Sequence, residues 1–267
     1  MAICRTGAIS STAIGAALQQ NLAPAGLSLG PAFSVDLYNL DSTCSSSPLP
    51  TFPKNRSPLA FLVYNTKELW DPLIEYLSRD VTARLEESTD PVNEYAEKMI
   101  WQALARSLPP NVARELRFPH DLEDRFVHFQ RLGHLSNLAF YDPEWQFLCV
   151  HPICGPWFAF RAVVMIDLEG PPLEIDQPQP SNPCPDRGAA AHKLYQMLQN
   201  EVANDPAPLA EAYHKRWRKL VEIRDSIGSF LGDTMSAHRY SEDQLNYHYL
   251  KDKKYLRRAI ARKQAAQ

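Results

Sequence analysis

At 157–166 the chain reads WFAFRAVVMI, and both of its alternating faces are apolar. Trp157, Ala159, Arg161, Val163 and Met165 fall on one face, and Phe158, Phe160, Ala162, Val164 and Ile166 on the other. Side chains of a strand alternate with period two, so a run apolar on both faces predicts a central strand covered on each side. LAFLVYN at 59–65 predicts a second buried strand, and FSVDLYNL at 33–40 a short third one. Elsewhere the spacing is helical. Ile9, Ala13, Ile14, Ala17 and Leu18 predict a helix over 8–22, closed by Pro24 and Gly26. Asp71-Pro72 and Asp90-Pro91 each read as an N-cap followed by proline at the first helical position. The helices they open carry Leu73, Leu77 and Val81 on one stripe, and Val92, Ala96, Met99, Ile100 and Ala103 on the other. The stretch 121–140 predicts a helix or helix pair interrupted near Gly133. Further helices are expected at 188–203 and 208–230, and again from RYSEDQ at 239–244 into the basic C-terminus. Between them the proline-rich segment 169–188 is expected to run extended over the surface. No repeat appears, and no boundary leaves enough elements for a core on both sides. The expectation is one α+β domain over 1–267, with 1–7 and 260–267 poorly ordered.

Composition narrows the function classes. Hydrophobic residues make up 45% and charged residues 22%, with a net charge of -3, so no global charge draws the chain to nucleic acid or an anionic membrane. No apolar run reaches the ~18 residues that a spanning helix needs. The first 26 residues carry no secretory signal and too few arginines for a transit peptide. Five scattered cysteines, Cys4, Cys44, Cys149, Cys154 and Cys184, suit a reducing compartment and so a cytoplasmic location.

Within CVHPIC at 149–154 the spacing fits neither a zinc ligand pair with its partner nor a CxxC redox motif, and a core Cys149 is the better reading. Arg161 is another matter. An unpaired guanidinium in a covered strand costs several kcal/mol, so it demands an anion. Two readings stay open: a structural carboxylate from a neighbouring element, or the carboxylate or phosphate of a ligand. The basic run Lys251, Lys253, Lys254, Arg257, Arg258, Arg262 and Lys263 reads as a solvated helix rather than a nucleic-acid patch. No phosphate loop, dinucleotide fingerprint, hydrolase elbow or HExxH is present.

Several segments together resemble a known family: SPLAFLVYNT at 57–66, GHLSNLAFY at 133–141, CVHPICGPWFAFRAVV at 149–164, IRDS at 223–226 and RYSEDQ at 239–244. In order and approximate spacing they are similar to the cytosolic cobalamin-processing chaperones called CblC, the methylmalonic aciduria and homocystinuria type C family. The resemblance spans nearly the whole chain, and CVHP with WFAFR is its most specific part.

It implies an antiparallel sheet flanked by helices, like that of flavin nitroreductases, and a cleft that holds cobalamin with its nucleotide tail detached from cobalt. It also implies removal of the upper axial ligand: dealkylation of alkylcobalamins by glutathione, and reductive decyanation of cyanocobalamin with a reduced flavin (FAD or FMN) or a thiol as electron source. If oxygen reoxidised the reduced cobalamin, the protein would cycle as a thiol oxidase. By carry-over, glutathione is expected on Arg161, Arg224 and a cation of the C-terminal helix, Arg257 or Lys254, with Arg258 a further candidate. Cobalamin is expected against Val127, His128, Phe129, Gln130, His134, Tyr141, Cys149 and Phe160, with no protein ligand to cobalt. A CblD-type adaptor and methionine synthase are the implied partners. The chain departs from the family pattern in being shorter between 141 and 147 and in carrying HDLEDRFVH at 120–128, segments that contribute to flavin binding and dimerisation in the family. Two other functions fit the same residues: a non-catalytic cobalamin carrier, and a flavin-dependent oxidoreductase on this fold.

Overall fold

Two runs with almost nothing polar to expose, LAFLVY and AVVMI, pair at the centre of an antiparallel sheet. The computed structural model describes residues 10–143, 148–173, 179–185 and 188–266. In chain order the first half holds α1 (Ser11–Leu22), β1 (Leu27–Ser34), α2 (Asp36–Asn39), β2 (Pro58–Asn65), α3 (Trp70–Ser78), α4 (Pro91–Ser107), β3 (Arg114–Arg117), α5 (Phe129–Leu135) and β4 (Phe140–Tyr141). The second half holds β5 (Cys149–Val150), β6 (Ala159–Glu169), α6 (Gly188–Ala203), α7 (Leu209–Lys215), α8 (Trp217–Gly228), α9 (Met235–His238), α10 (Glu242–Leu250) and α11 (Lys254–Ala265). The main sheet runs β1-β2-β6-β3 with every neighbour antiparallel, and β4 pairs with β5 in a separate ribbon. An α+β architecture with an antiparallel sheet flanked by helices is what the sequence predicts.

The sheet is covered on both sides. Leu59, Phe61 and Val63 of β2 join Ala162, Val164 and Ile166 of β6 under α1, α3, α4 and α11. Ala60, Leu62, Val163 and Met165 face the other way, against Phe33, Val35, Tyr38 and the α5 residues Phe129, Leu132 and Leu135. Fully burying one such aliphatic side chain contributes about 1.5–3 kcal/mol, so β6 is the strand the fold can least lose. A third cluster joins α6, α7 and α8 to Val150 and to Cys184, which anchors the described part of the proline-rich connection. Residues 174–178 and 186–187 of that connection lie outside the described residues.

Four local expectations differ from the structure. β1 stops at Ser34 and 36–39 form the helical turn α2, because Val35 and Tyr38, three apart, are both buried; the period there is helical. Asp71 is not a cap: α3 starts at Trp70 out of a 3₁₀ turn, so Asp71 and Pro72 sit in its first turn, where a carboxylate complements the dipole and a missing N–H costs nothing. Gly133 lies inside α5 without interrupting it. The helix expected over 208–230 breaks at Arg216, whose guanidinium turns back to Asp205 at 2.6 Å and to the Ala212 carbonyl at 3.0 Å. Asp90, by contrast, caps α4 as expected, its side chain accepting from Asn93 N–H at 3.2 Å.

Gly26 ties this layer together. Its φ is +70°, and a Cβ there would meet Glu68 O at 2.4 Å and Leu69 Cα at 2.5 Å, both backbone. Gly26→Ala is therefore expected to destabilise the fold by about 3 kcal/mol, measured by urea unfolding, because the strain of a left-handed alanine adds to a clash the backbone cannot relieve.

Candidate functional site

The alternation along β6 breaks at Arg161. Val63 pairs with Ala162 and Tyr64 with Phe160, so Arg161 is the extra residue of a β-bulge. A bulge re-aims side chains. Phe160 consequently turns towards α5, joining Val163 and Met165, while Arg161 turns towards α4 and α10. The two strict faces predicted from the sequence therefore do not continue through this point.

Towards α5 lies a cavity of about 300 Å³. Val127, Phe129, Gln130, Cys149 and Phe160 line it, with Phe126, Leu148, Pro156, Phe158 and Arg224. Five of the eight residues expected to contact cobalamin thus share one wall. Cys149 packs with Cys154 and Phe158, and its thiol donates to the Gln130 carbonyl at 3.7 Å. Burial pushes the Cys149 thiol up, so it stays protonated. The other three expected residues stand beside the cavity rather than in its lining. His128 caps α5, its Nδ1 accepting from Arg131 N–H at 3.3 Å, and its ring meets that of Tyr141. His134 Nδ1 accepts from Tyr141 N–H at 3.2 Å. Burial lowers both imidazole pKa values, so each is neutral at physiological pH with Nε2 carrying the proton. Within CVHPIC, His151 Nδ1 accepts from Ile153 N–H at 3.1 Å and closes a turn. Among the described residues no group of three His, Cys, Asp or Glu side chains could hold a metal ion.

A second, apolar chamber of about 230 Å³ adjoins the first, lined by Ala191, His192, Tyr195, Tyr213, Ile223 and Tyr249 among others, and the two share Leu148 and Arg224. Arg224 stands in the common wall. Its Nη1 donates to Pro156 O at 2.6 Å, and its buried Nε has no protein partner.

Among the described residues Arg161 has no carboxylate partner either. Its Nε donates to Asn65 Oδ1 at 2.6 Å and its Nη1 to Asn93 Oδ1 at 3.1 Å. Both amides are locked in that orientation by their other ends, Asn65 donating to Thr66 O and Asn93 to Asp90. Among the described residues the structural-carboxylate reading is therefore not met: neutral oxygens hold the guanidinium, and Asp90 acts on its charge without bonding it. Burial lowers the Arg161 pKa, the direction expected for a cation without an ion pair. Around it stand Tyr240, Gln244, His248 and Lys251. His248 is held well below the usual imidazole range by burial first, then by the charges of Arg224, Arg161 and Lys251. Tyr240 feels both arginines as well, so these two side chains link the Arg161 cluster to the cavity wall.

The C-terminal cations expected to join them are placed elsewhere. Arg257 makes a two-pronged pair with Glu86, at 2.7 and 2.5 Å, and Lys254 pairs with Asp252 at 2.8 Å, both in exposed positions. Arg258 and Arg262 both pair with Asp243. Lys251, at the left-handed C-cap of α10, is the basic-run residue that lines the pocket with Arg161; its Nζ lies 3.4 Å from Asp90. Sequence reading missed Lys251 and His248, for which no motif exists, and passed over Tyr240 inside RYSEDQ.

No family model matches the chain. Over 247 residues it is 25% identical to a human protein named cyanocobalamin reductase / alkylcobalamin dealkylase, covering 86% of this chain and 75% of that one. The crystal structure of a C. elegans B12-trafficking protein CblC, described as a human MMACHC homologue, matches with a TM-score of 0.62 at 18% identity, over 92% of this chain and 95% of that chain. Both likenesses point to the CblC proteins that the five sequence stretches resemble.

The five stretches that carry the resemblance to CblC proteins meet around the site. GHLSNLAFY runs from α5 into β4, and CVHPICGPWFAFRAVV from β5 into β6. IRDS on α8 and RYSEDQ before α10 are clasped by Arg239, which bonds both oxygens of Asp225 at 2.8 and 3.1 Å. SPLAFLVYNT supplies β2 and, at its end, Asn65. Of the departures from the CblC pattern, 120–128 folds as a 3₁₀ turn leading to the cavity residues Phe126 and Val127, while 144–147 lies outside the described residues. Among the described residues no helix is long and apolar enough to cross a membrane.

Proposed function

We propose that this chain binds cobalamin with its lower base detached and removes the upper axial ligand. Alkylcobalamins would be dealkylated by glutathione and cyanocobalamin decyanated by reduction, on a scaffold of the flavin nitroreductase type, in the cytoplasm. The observation that carries this reading is the cavity itself: Val127, Phe129, Gln130, Cys149 and Phe160 form a mixed polar and apolar wall beside Arg224, and the neighbouring apolar chamber suits a detached aromatic base. Arg161 and Arg224, both without carboxylate partners among the described residues, suit the two carboxylates of glutathione, and Lys251 joins them as the local C-terminal cation.

The dealkylation step is a displacement at carbon. The glutathione thiolate attacks the carbon bound to cobalt, the C–S bond forms, and the Co–C bond breaks with both electrons left on cobalt, giving cob(I)alamin and a thioether. Loss of the lower base makes cobalt a better leaving group, and the cations favour thiolate over thiol. The protein's own contribution is position and field. Cys149 lines the same wall but stays protonated by burial, so it does not compete with the external thiol. In decyanation each cyanocobalamin takes one electron and releases cyanide; two thiols supply two electrons and become a disulfide. No residue here is assigned to FAD or FMN, and the thiol is the electron source. Reoxidation of the product by oxygen would add thiol oxidase turnover. Handover to a CblD-type adaptor and methionine synthase completes the reading.

Mixing purified protein with methylcobalamin at micromolar concentration is expected to shift its absorption to the base-off form, and adding glutathione to yield S-methylglutathione. A shift without methyl transfer would make the chain a carrier. No shift would remove the reading.

A further inference from the structure

The pocket that Arg161 lines is small. Its volume is about 20 Å³, bounded by Asn65, Arg161, Tyr240, Gln244, His248 and Lys251 with apolar side chains below. A single water or monatomic ion needs about 10–15 Å³ by this measure, so the pocket admits one small particle and not a whole carboxylate with its chain.

The charges select among small particles. No carboxylate lines the pocket. Arg161 is satisfied only by neutral amide oxygens, and Arg224 by a carbonyl. Asp90, the acid whose charge acts on Arg161, already caps α4 and lies 3.4 Å from Lys251. His248 is neutral and supplies no negative charge. Donors meanwhile accumulate. The Tyr240 hydroxyl is buried without a protein partner, and behind it so are Arg224 Nε and Trp157 Nε1, the Trp157 ring lying 5.8 Å from that of Tyr240 and 5.8 Å from Arg224 Cζ. Burial keeps the Tyr240 phenol protonated, its pKa pushed up to about 12, so it offers O–H rather than a phenolate. A buried donor without an acceptor costs about 1–3 kcal/mol, and a cation without a counter-charge costs more. One small anion answers both.

We propose that this pocket is a site for a halide-sized monoanion, chloride in the resting protein, held by Arg161 and the Tyr240 hydroxyl. Resting on the glutathione reading above, the proposal makes chloride a competitor of anionic thiols: one carboxylate oxygen of the thiol takes the ion's place. A neutral thiol has no such oxygen, and chloride leaves its use unchanged.

The ion is tested first without cobalamin or thiol. At constant ionic strength, sodium chloride replaces sodium isethionate, whose sulfonate is too large for the pocket, and thermal unfolding is followed. Wild type is expected to gain melting temperature saturably with chloride, and Arg161→Gln to show no gain. Tyr240→Phe, which removes a hydroxyl without a partner and so folds at least as stably, is expected to bind chloride at least about threefold more weakly. With methylcobalamin, the KM for glutathione should rise by the factor 1 + [Cl⁻]/Kd, about fourfold at about 150 mM for a Kd near ~50 mM, while the KM for 2-mercaptoethanol stays constant. A melting temperature indifferent to chloride, or equally dependent in Arg161→Gln, overturns the site. Chloride binding without dealkylation would remove the reaction and leave the ion site; dealkylation with no chloride dependence would do the reverse.

Discussion

Arg161→Gln is expected to raise the KM for glutathione about 10- to 100-fold while leaving cobalamin affinity within about twofold. A hydrogen bond to a charged partner contributes about 1.5–3 kcal/mol, and 1.4 kcal/mol is a factor of ten, which sets the range. The separation of the two effects comes from the bulge: Phe160 faces the cavity, but Arg161, the next residue, faces Asn93, Tyr240 and Lys251. Stability should not fall. Glutamine can still donate to the Asn65 and Asn93 oxygens, and removing a buried charge that has no ion pair relieves desolvation. Titration of methylcobalamin absorption measures the first affinity and steady-state dealkylation the second. Equal losses in both, or a fall in melting temperature large enough to explain them, would sink the assignment of Arg161 to the thiol.

The central strand was readable because its cause is local. AVVMI and LAFLVY have no polar face to expose, and any sheet that contains them must cover both sides. The bulge inside that strand was not readable, because it depends on register against β2, a property of two segments about a hundred residues apart. Edge strand β3, RELR, escaped for the opposite reason: four residues with one buried side chain, Leu116, carry almost no periodic signal. The short α2 failed through period, since Val35 and Tyr38 satisfy a helix and the run around them also fits a strand.

At the site, the demand of Arg161 for an anion followed from burial alone, but its amide clamp did not. Asn65 and Asn93 are ordinary polar residues in sequence, and only the fold turns both oxygens inward. The C-terminal cation shows where pattern extrapolation ends. Lys251 adopts a left-handed conformation with φ at 54°, so α10 and α11 are separate helices whose faces are not in phase. Carry-over from the resemblance puts this cation at Lys254 or Arg257, whereas the break turns them towards Asp252 and Glu86.

Gly133→Ala is expected to weaken cobalamin binding at least about tenfold while costing the fold no more than about 2 kcal/mol. Gly133 lies within α5, where alanine is the better helix former by about 1 kcal/mol, so the backbone has no objection. The side chain does. A Cβ at 133 would lie 2.6 Å from Phe160 Cζ and 3.0 Å from Cε1, and the ring must move. It is braced by Phe129 and Phe158, with ring centres at 5.8 and 5.2 Å, and the open direction is the cavity. Displacing it costs about 1–3 kcal/mol, which the helix gain partly offsets in the free protein, but the volume it enters is then lost to the ligand. Phe160→Leu shortens the offending group, so the double variant Gly133→Ala/Phe160→Leu should bind cobalamin more tightly than Gly133→Ala alone. That coupling, read from a double-mutant cycle of methylcobalamin titrations, separates displacement of one ring from general damage to α5. Additive losses in the cycle would mean that Phe160 does not shape the cobalamin cavity, and the wall assigned to cobalamin would need another anchor.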